Sequence, residues 1–243
     1  MRGLFVTGTD TGVGKTVLSA ALLAAMAAAG ERVSAHKPAV TGLDEQREAA
    51  STKLWPADHE LLGAAARMPA EEVAPLRYGP AVSPLLAAEL AGETLQARRV
   101  LAAGAAAVAE RSDAAGTVIV EGVGGLLSPL AENLTVCDLA VALRLPLLVA
   151  ARPGLGTINH TLLTLQSARA AGLSVRAVVL TPWPEEPSRL ERSNLEAIMR
   201  FGFVEVDTLA RVGAPQIDQL ARAGAELPWR RWLGERPGVT SAS

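Results

Sequence analysis

Three residues near the start of the chain have the types and the spacing of a phosphate-binding loop. Gly14, Lys15 and Thr16 close a glycine-rich run that begins at Gly8. Glycines let backbone N–H groups turn toward phosphate oxygens, and a lysine adds a full positive charge beside the β- and γ-phosphates. A threonine hydroxyl at this position binds Mg²⁺. These residue types therefore predict a site for a nucleoside triphosphate with a magnesium ion.

The elements on either side of this run are the ones that such a loop requires. Residues 4–6 are a short apolar run that predicts a strand, and residues 17–29 are a longer one that predicts a helix. A helix that begins at the loop points the positive end of its dipole at the anion. Five residues separate Gly8 from Gly14 instead of the usual four, so the loop is a variant. The residues predicted to bind the nucleotide here are Gly12, Val13, Gly14, Lys15, Thr16 and Val17.

Apolar runs and helical patterns alternate along the rest of the chain. Strands are predicted at residues 32–37, 117–121, 145–150, 175–180 and 202–206, and helices at residues 58–67, 85–91, 94–111, 158–171 and 188–200. Residues 68–84 contain four prolines and are predicted to be a loop. Continuous apolar strands separated by helices are typical of a parallel sheet with helices on both faces. We therefore expect a three-layer α/β fold of the P-loop NTPase type, as one domain over residues 1–235 with a frayed tail over residues 236–243.

The composition excludes several classes of protein. Of 243 residues, 49% are hydrophobic and 20% are charged, and the net charge is −2. This balance argues against disorder and against nucleic-acid binding. No apolar run is long enough to cross a membrane, and a first strand this early leaves no room for a signal peptide. The single Cys137 cannot form an internal disulfide, so we expect a buried structural thiol and a cytoplasmic protein.

Polar residues stand where several predicted strands end. They include Lys37, Glu121, Arg152 and Thr181. Ligands of parallel sheets bind beyond the carboxyl ends of the strands, so these side chains are expected on the same side as the phosphate-binding loop. Glu121 precedes a run of glycines, and a carboxylate in that position can approach phosphates and bind Mg²⁺.

Four segments, in this order, resemble the dethiobiotin synthetases, ATP-dependent ring-closing enzymes of biotin synthesis. They are Thr-Gly-Thr-Asp-Thr-Gly-Val-Gly-Lys-Thr at 7–16, His-Lys-Pro-Ala-Val-Thr-Gly at 36–42, Val-Glu-Gly-Val-Gly-Gly at 120–125 and Gly-Thr-Ile-Asn-His at 156–160. The resemblance implies that one amine of 7,8-diaminopelargonate captures CO₂, that ATP phosphorylates the carbamate, and that the second amine closes the ureido ring.

The resemblance also implies roles for individual residues. Lys37 and Lys15 belong to the catalytic cluster, and Thr41 binds the diamine. Magnesium is held by Thr16, Asp58 and Glu121, although Asp58 could instead be only a helix-start residue. Further nucleotide contacts are implied for Asp58, Glu121, Gly122, Val123, Gly124, Thr181 and Pro182.

The fourth segment is predicted to bind the carboxylate of the substrate. Free backbone N–H groups at a helix start suit an anion. In the family this element, here Gly156, Thr157, Ile158 and Asn159, reaches across a homodimer interface into the neighbouring active site. His160 is expected to order the helix start instead of acting as a base.

The last third of the chain departs from the family pattern. Many members have an Asn-Asp pair whose Asn contacts adenine, whereas this chain has Thr181, Pro182 and Trp183. The nucleobase preference is therefore open, and a nucleoside triphosphate other than ATP is possible. Trp183 either stacks on a base or caps the core. Ser193 or Asn194 replaces a family tyrosine near the substrate carboxylate.

A dimeric nucleotide-dependent switch of the partition-ATPase type is the alternative function. Such proteins have the same strand, loop and helix at the start. They usually carry an additional early lysine in the loop, and this chain has none there. No basic or amphipathic membrane-targeting tail is present either. The sequence therefore favours the ring-closing enzyme.

Overall fold

The computed structural model describes residues 2–48, 55–113 and 116–234. The strands in these ranges are β1 (Gly3–Gly8), β2 (Val33–His36), β3 (Thr117–Glu121), β4 (Pro129–Ala131), β5 (Leu134–Thr135), β6 (Leu147–Ala151), β7 (Val175–Trp183) and β8 (Glu205–Ala210). The helices are α1 (Lys15–Ala28), α2 (Leu43–Glu48), α3 (Asp58–Ala66), α4 (Ala70–Val73), α5 (Pro84–Leu90), α6 (Ala97–Asp113), α7 (Val136–Leu143), α8 (Thr157–Ala170), α9 (Arg189–Gly202), α10 (Ile217–Ala225) and α11 (Trp229–Trp232). None of these helices is both long and apolar enough to cross a bilayer.

A six-stranded parallel sheet organises the molecule, in the order β2-β3-β1-β6-β7-β8. In the register of the central strands, Val6 lies opposite Glu121 and Gly8 lies opposite Ala150. The carboxyl ends of β3, β1 and β6 therefore meet at one edge. This register brings Glu121, the loop after Gly8 and the residue after β6 close together in space.

Hydrophobic side chains pack on both faces of the sheet, because successive residues of a strand point to opposite sides. Phe5 and Val120 face a core formed with α5 to α9. Leu4, Val6 and Ile119 face a second core formed with α1, α3, α10 and α11. The predicted three-layer α/β architecture is thereby confirmed.

Helix α1 owes its position to small residues. It follows Gly14, whose φ of 95° is left-handed and is readily adopted only by glycine. Its partner α10 approaches so closely that a Cβ atom at Gly224 would lie 2.0 Å from the carbonyl oxygen of Ala21. The helix that begins at the phosphate-binding loop is thus held by direct backbone packing.

Several element predictions are wrong in extent. The strand expected at 202–206 is β8 and begins at Glu205, because α9 continues to Gly202 and packs there against Leu165. The loop expected at 68–84 contains the short helix α4. Strand β7 extends past Leu180 to Trp183, since pairing with β8 continues there. Helices α10 and α11 were not predicted, and the predicted tail over residues 236–243 lies outside the described residues.

Candidate active site

The loop between β1 and α1 is wrapped around the side chain of Lys15. This lysine is 7% exposed, and its Nζ donates a hydrogen bond to the carbonyl oxygen of Asp10 at 2.8 Å. Burial lowers the pKa of Lys15 to about 8, and the repulsion of Lys37 acts in the same direction. Gly8 lies against Val13, where a Cβ atom would come within 2.6 Å of Cγ2. The loop is therefore compact and centred on one lysine.

Three segments distant in sequence meet at a buried ion-pair cluster. The Nζ of Lys37 donates to Asp58 Oδ2 at 2.7 Å and to Glu121 Oε1 at 2.5 Å. The hydroxyl of Thr16 donates to the same oxygen of Glu121 at 2.9 Å. Lys37 is 4% exposed and Glu121 is fully buried, whereas Asp58 is open to the solvent on one side. The first turn of α1 is thus joined to the ends of β2 and β3.

The two carboxylates keep Lys37 charged. Burial alone would lower the pKa of Lys37, but the attraction of Asp58 and Glu121 outweighs it and raises the pKa above its ordinary value. For Asp58 the directions are reversed. The partial burial of its carboxyl group would raise its pKa, whereas Lys37 and the Thr16 hydroxyl lower the pKa below its usual range. The site therefore contains an ammonium group and not a neutral amine.

The cluster has the donor groups that a hard divalent cation requires. Glu121 Oε2 is buried and has no hydrogen-bond partner among the described residues. The Thr16 hydroxyl bonds to the other oxygen of Glu121, and the Lys37 ammonium joins Asp58 to the same oxygen. The described ranges hold no group of three or more His, Cys, Asp or Glu side chains that would bind a metal by themselves. Two carboxylates and one hydroxyl suit Mg²⁺, which takes its other ligands from phosphates and water.

A cavity of about 600 Å³ adjoins the cluster. The predicted residues on its wall are Gly12, Gly14, Lys15, Thr16, Lys37, Thr41, Asp58, Val123 and Gly124. Another part of the wall is less polar, and sequence reasoning did not include its residues Ala81, Val82, Ser83, Pro84, Ser128 and Pro129. Ser83 caps α5 and Pro84 occupies its first turn, so a serine-proline helix start was the available signal.

Other predicted residues do not present a side chain to this cavity. Val13 is buried in the core below the loop, so only its backbone is available to a ligand. At Gly122 a Cβ atom would lie 2.7 Å from Val136 Cγ1, which makes this glycine a packing requirement. Val17 is partly buried and packs against the core beside α1.

The segment predicted to meet the nucleobase is largely part of the sheet. Thr181 is 2% exposed, and its Cγ2 would lie 2.7 Å from a Cβ atom at Gly14. Pro182 is exposed, and Trp183 pairs with Ala210 and packs against the core. Of the two alternatives for Trp183, the structure shows core packing.

Residues 156–159 at the start of α8 do not line this cavity, and the loop before them reaches the surface. Leu155, in the loop before α8, is 91% exposed. Asn194 holds this loop from behind, because its Nδ2 donates to the carbonyl oxygens of Pro153 at 2.9 Å and Gly154 at 3.1 Å. Asn194 is therefore a buried residue that supports this loop through hydrogen bonds, and Ser193 beside it is exposed. The four predicted residues of this segment are not brought to the Lys37 cluster within one chain.

Three further buried titratable groups are Cys137, His36 and His59. Cys137 is buried, as predicted, and burial followed by the nearby charge of Asp138 raises the pKa of its thiol. Burial lowers the pKa of His36 to about 4 and lowers the pKa of His59, so both imidazoles are neutral. None of the three is poised as a nucleophile or as a proton donor at neutral pH.

The chain is similar to known proteins over most of its length. A family model described as an AAA domain matches residues 2–223. The ATP-dependent dethiobiotin synthetase BioD of Anaeromyxobacter dehalogenans is 42% identical over 207 residues, which are 84% of this chain and 87% of that protein. The chain belongs to the ATP-dependent dethiobiotin synthetase family. Another dethiobiotin synthetase, from Mycobacterium avium, is 42% identical over 200 residues, 82% of each chain.

Membership of the dethiobiotin synthetase family confirms three predictions: the family, the ligase class and the dependence on ATP. A solved structure, the MinC:MinD cell division protein complex of Aquifex aeolicus, matches with a TM-score of 0.57 and full coverage of both chains. Its sequence is only 14% identical, so this likeness shows the shared fold alone. The switch alternative gains no support from it.

Proposed function

We propose that this chain closes the ureido ring of dethiobiotin. One amine of 7,8-diaminopelargonate adds to CO₂ and loses a proton, which gives a carbamate. The γ-phosphoryl group of a nucleoside triphosphate is transferred to a carbamate oxygen, releasing the diphosphate. The second amine then attacks the carbamate carbon, the C–O bond to phosphate breaks, and the ring closes. The observation that supports this assignment is the buried Lys37 cluster beside the phosphate-binding loop, in a chain of this family.

The positive charge of the site matches the charge that the reaction develops. A carbamate beside a triphosphate concentrates negative charge, and a phosphate leaves at the end. Lys15 lies at the loop that would hold the β- and γ-phosphates. Lys37 is also positively charged and lines the cavity beside that loop. The same cations favour the neutral form of a nearby substrate amine, which is the nucleophilic form. Charge stabilisation and positioning are thus sufficient, and the proposal uses no covalent protein nucleophile.

Magnesium belongs to the proposal because the donor set fits it. Thr16, Asp58 and Glu121 would hold the ion, and the free Oε2 of Glu121 is a ready ligand. When bound, Mg²⁺ would neutralise phosphate charge and align the transferred group. The Lys37 ammonium forms ion pairs with both Asp58 and Glu121. A bound Mg²⁺ would therefore have to share these two carboxylates with Lys37.

The nucleotide is proposed to lie along the loop and the end of β3. Gly12, Val13, Gly14 and Val17 would contribute backbone N–H groups, and residues 122–124 would line the opposite side of the phosphates. Thr181 is packed beneath Gly14, and Pro182 has no N–H group. Neither supplies the amide side chain that reads adenine in many family members, so the proposal includes CTP and GTP as co-substrates beside ATP.

The diamine is proposed to bind between Thr41 and the less polar wall of the cavity. Its carboxylate would reach the N-terminus of α8 in a second subunit, at residues 156–159. Gly156 and Asn159 of this element are exposed, and none of its residues lines the cavity of its own chain, which is what an element that serves a partner requires. The proposed state is therefore a homodimer with substrate at the interface. A cytoplasmic location is part of the proposal, since the chain has one cysteine and no disulfide.

The deciding experiment is phosphate release from the purified chain with Mg²⁺, bicarbonate and 7,8-diaminopelargonate, run in parallel with ATP, CTP and GTP. We expect release only when diamine and bicarbonate are both present, and loss of release with excess chelator. The Lys15→Ala variant is the background control, since it removes the phosphate-binding charge. Release that ignores the diamine would contradict the proposal and would favour a nucleotide switch.

A further inference from the structure

Arg152 makes a direct contact with the phosphate-binding loop from the neighbouring strand. It follows β6, and its guanidinium donates to the carbonyl oxygen of Gly12 from Nη2 at 3.2 Å and from Nε at 3.4 Å. The two residues are 140 positions apart in the chain. In the part of the chain that the structure describes, no carboxylate forms an ion pair with Arg152. Its positive charge therefore stands unneutralised at the rim of the loop.

The backbone on both sides of Arg152 is fixed. Before it, Ala150 pairs with Gly8 and accepts a hydrogen bond from the N–H of Thr9 at 3.0 Å. After it, Asn194 holds the carbonyl groups of Pro153 and Gly154. The guanidinium consequently extends from a rigid base, and its contact with Gly12 constrains the loop.

The orientation of one peptide group depends on this contact. The carbonyl of Gly12 and the N–H of Val13 belong to the same trans peptide and point in opposite directions. Gly12 lies on the wall of the cavity, whereas Arg152, which holds the carbonyl of Gly12, does not line that cavity. With its carbonyl held by Arg152, the peptide turns the Val13 N–H toward the cavity. Gly12 has φ of 70° and no side chain, so nothing in its own structure prevents this peptide from rotating.

We propose that Arg152 is a positioning residue for the nucleotide. It holds the Gly12–Val13 peptide with the N–H group aimed at the phosphates, and it adds a positive charge behind them. Arg152 acts through the loop and not on the reacting carbamate. The inference rests on the proposed nucleotide site, and it concerns nucleotide affinity instead of the chemical step.

The test compares Arg152→Ala, Arg152→Gln and Arg152→Lys with the wild type in two assays. Calorimetry gives the Kd for ADP with Mg²⁺, and steady-state kinetics gives KM and kcat. We expect Arg152→Ala to raise the Kd and the nucleotide KM about tenfold, the scale of a lost charge-assisted hydrogen bond. The kcat at saturating nucleotide and the KM for the diamine should stay unchanged. Arg152→Lys keeps a charged donor and should recover most of the affinity. Arg152→Gln keeps a donor where Nε stands and should recover part of it.

Three controls separate the possible outcomes. Arg176→Ala removes an exposed arginine at the amino end of β7, at the opposite edge of the sheet from Arg152. This variant should bind ADP as the wild type does. The melting temperature of nucleotide-free Arg152→Ala should equal that of the wild type, because the side chain is exposed. Lys15→Ala should abolish binding. If the wild type binds ADP and Arg152→Ala binds it equally well, the positioning role is overturned. A wild type that binds no nucleotide would overturn the proposed function itself.

Discussion

At the scale of single residues, the charge balance around Lys37 is the central feature of the site. The Lys37 ammonium forms ion pairs with Asp58 and with the fully buried Glu121. Lys15, whose pKa is lowered, lies nearby. A buried carboxylate such as Glu121 is tolerated only when a cation compensates it. The same lysine therefore stabilises the nucleotide-free fold and supplies charge for the proposed reaction.

Lys37→Ala is expected to reduce kcat by about 100-fold or more, the scale of losing one charge-stabilising donor. Lys37→Gln should be nearly as poor, because an amide dipole cannot replace an ammonium. Phosphate release at saturating substrates measures both. Because removal of Lys37 leaves Glu121 uncompensated, the variants should also unfold at lower temperature, so activity is to be measured well below the midpoint. Turnover close to that of the wild type would disprove the catalytic assignment.

At the scale of elements, the close packing of α1 against α10 determines where the phosphate-binding loop sits. Helix α1 begins at Lys15, so a displacement of the helix displaces the loop. The approach is possible because Gly224 has no side chain and its backbone lies against Ala21. The position of the site thus depends on a helix that contributes no side chain to it.

Gly224→Ala is expected to lower the free energy of unfolding by about 1–3 kcal/mol, as overpacking typically does. Urea denaturation followed by circular dichroism measures this change. Gly213→Ala is the matched control, since a Cβ atom there would meet nothing within 4 Å. If the two variants were equally stable, the backbone contact between the helices would be of no consequence for the fold.

At the scale of the whole molecule, exposed leucines surround the start of α8. Leu127 is 63%, Leu155 is 91% and Leu163 is 54% exposed. Leu127 and Leu163 line a second cavity, of about 350 Å³, between α8 and the loops after β1 and β3. Apolar surface of this kind beside a ligand-binding element is typical of an interface. The proposed homodimer would cover it.

Leu163→Glu is expected to convert the proposed dimer into monomers, because a charge would be buried in an apolar contact. Size-exclusion chromatography with light scattering measures the mass, which is 25.2 kDa for one chain. The KM for the diamine should rise as the shared site is lost. Leu90→Glu, at a leucine that is 61% exposed on α5, is the control and should remain a dimer. An active wild-type monomer would contradict the homodimer.

The sequence alone determined the features that depend on local pattern and on general rules of parallel sheets. The strand, loop and helix around Lys15 are specified by neighbouring residues, so their order was predictable. Lys37 follows β2 and Glu121 ends β3, and ligands of a parallel sheet bind beyond the carboxyl ends of its strands. Their convergence with Thr16 was therefore expected before any distance was known. The family followed from the same local segments.

Only the tertiary structure decided the contacts between residues that are far apart in sequence. The extension of β7 through Trp183 depends on pairing with β8, and the closeness of α10 depends on packing against α1. The wall at residues 81–84 and the contact of Arg152 with Gly12 have no local signal that specifies a partner. The physical reason is the same in each case. Packing and long-range hydrogen bonds are formed by the folded chain as a whole, and local propensity does not encode which surfaces will meet.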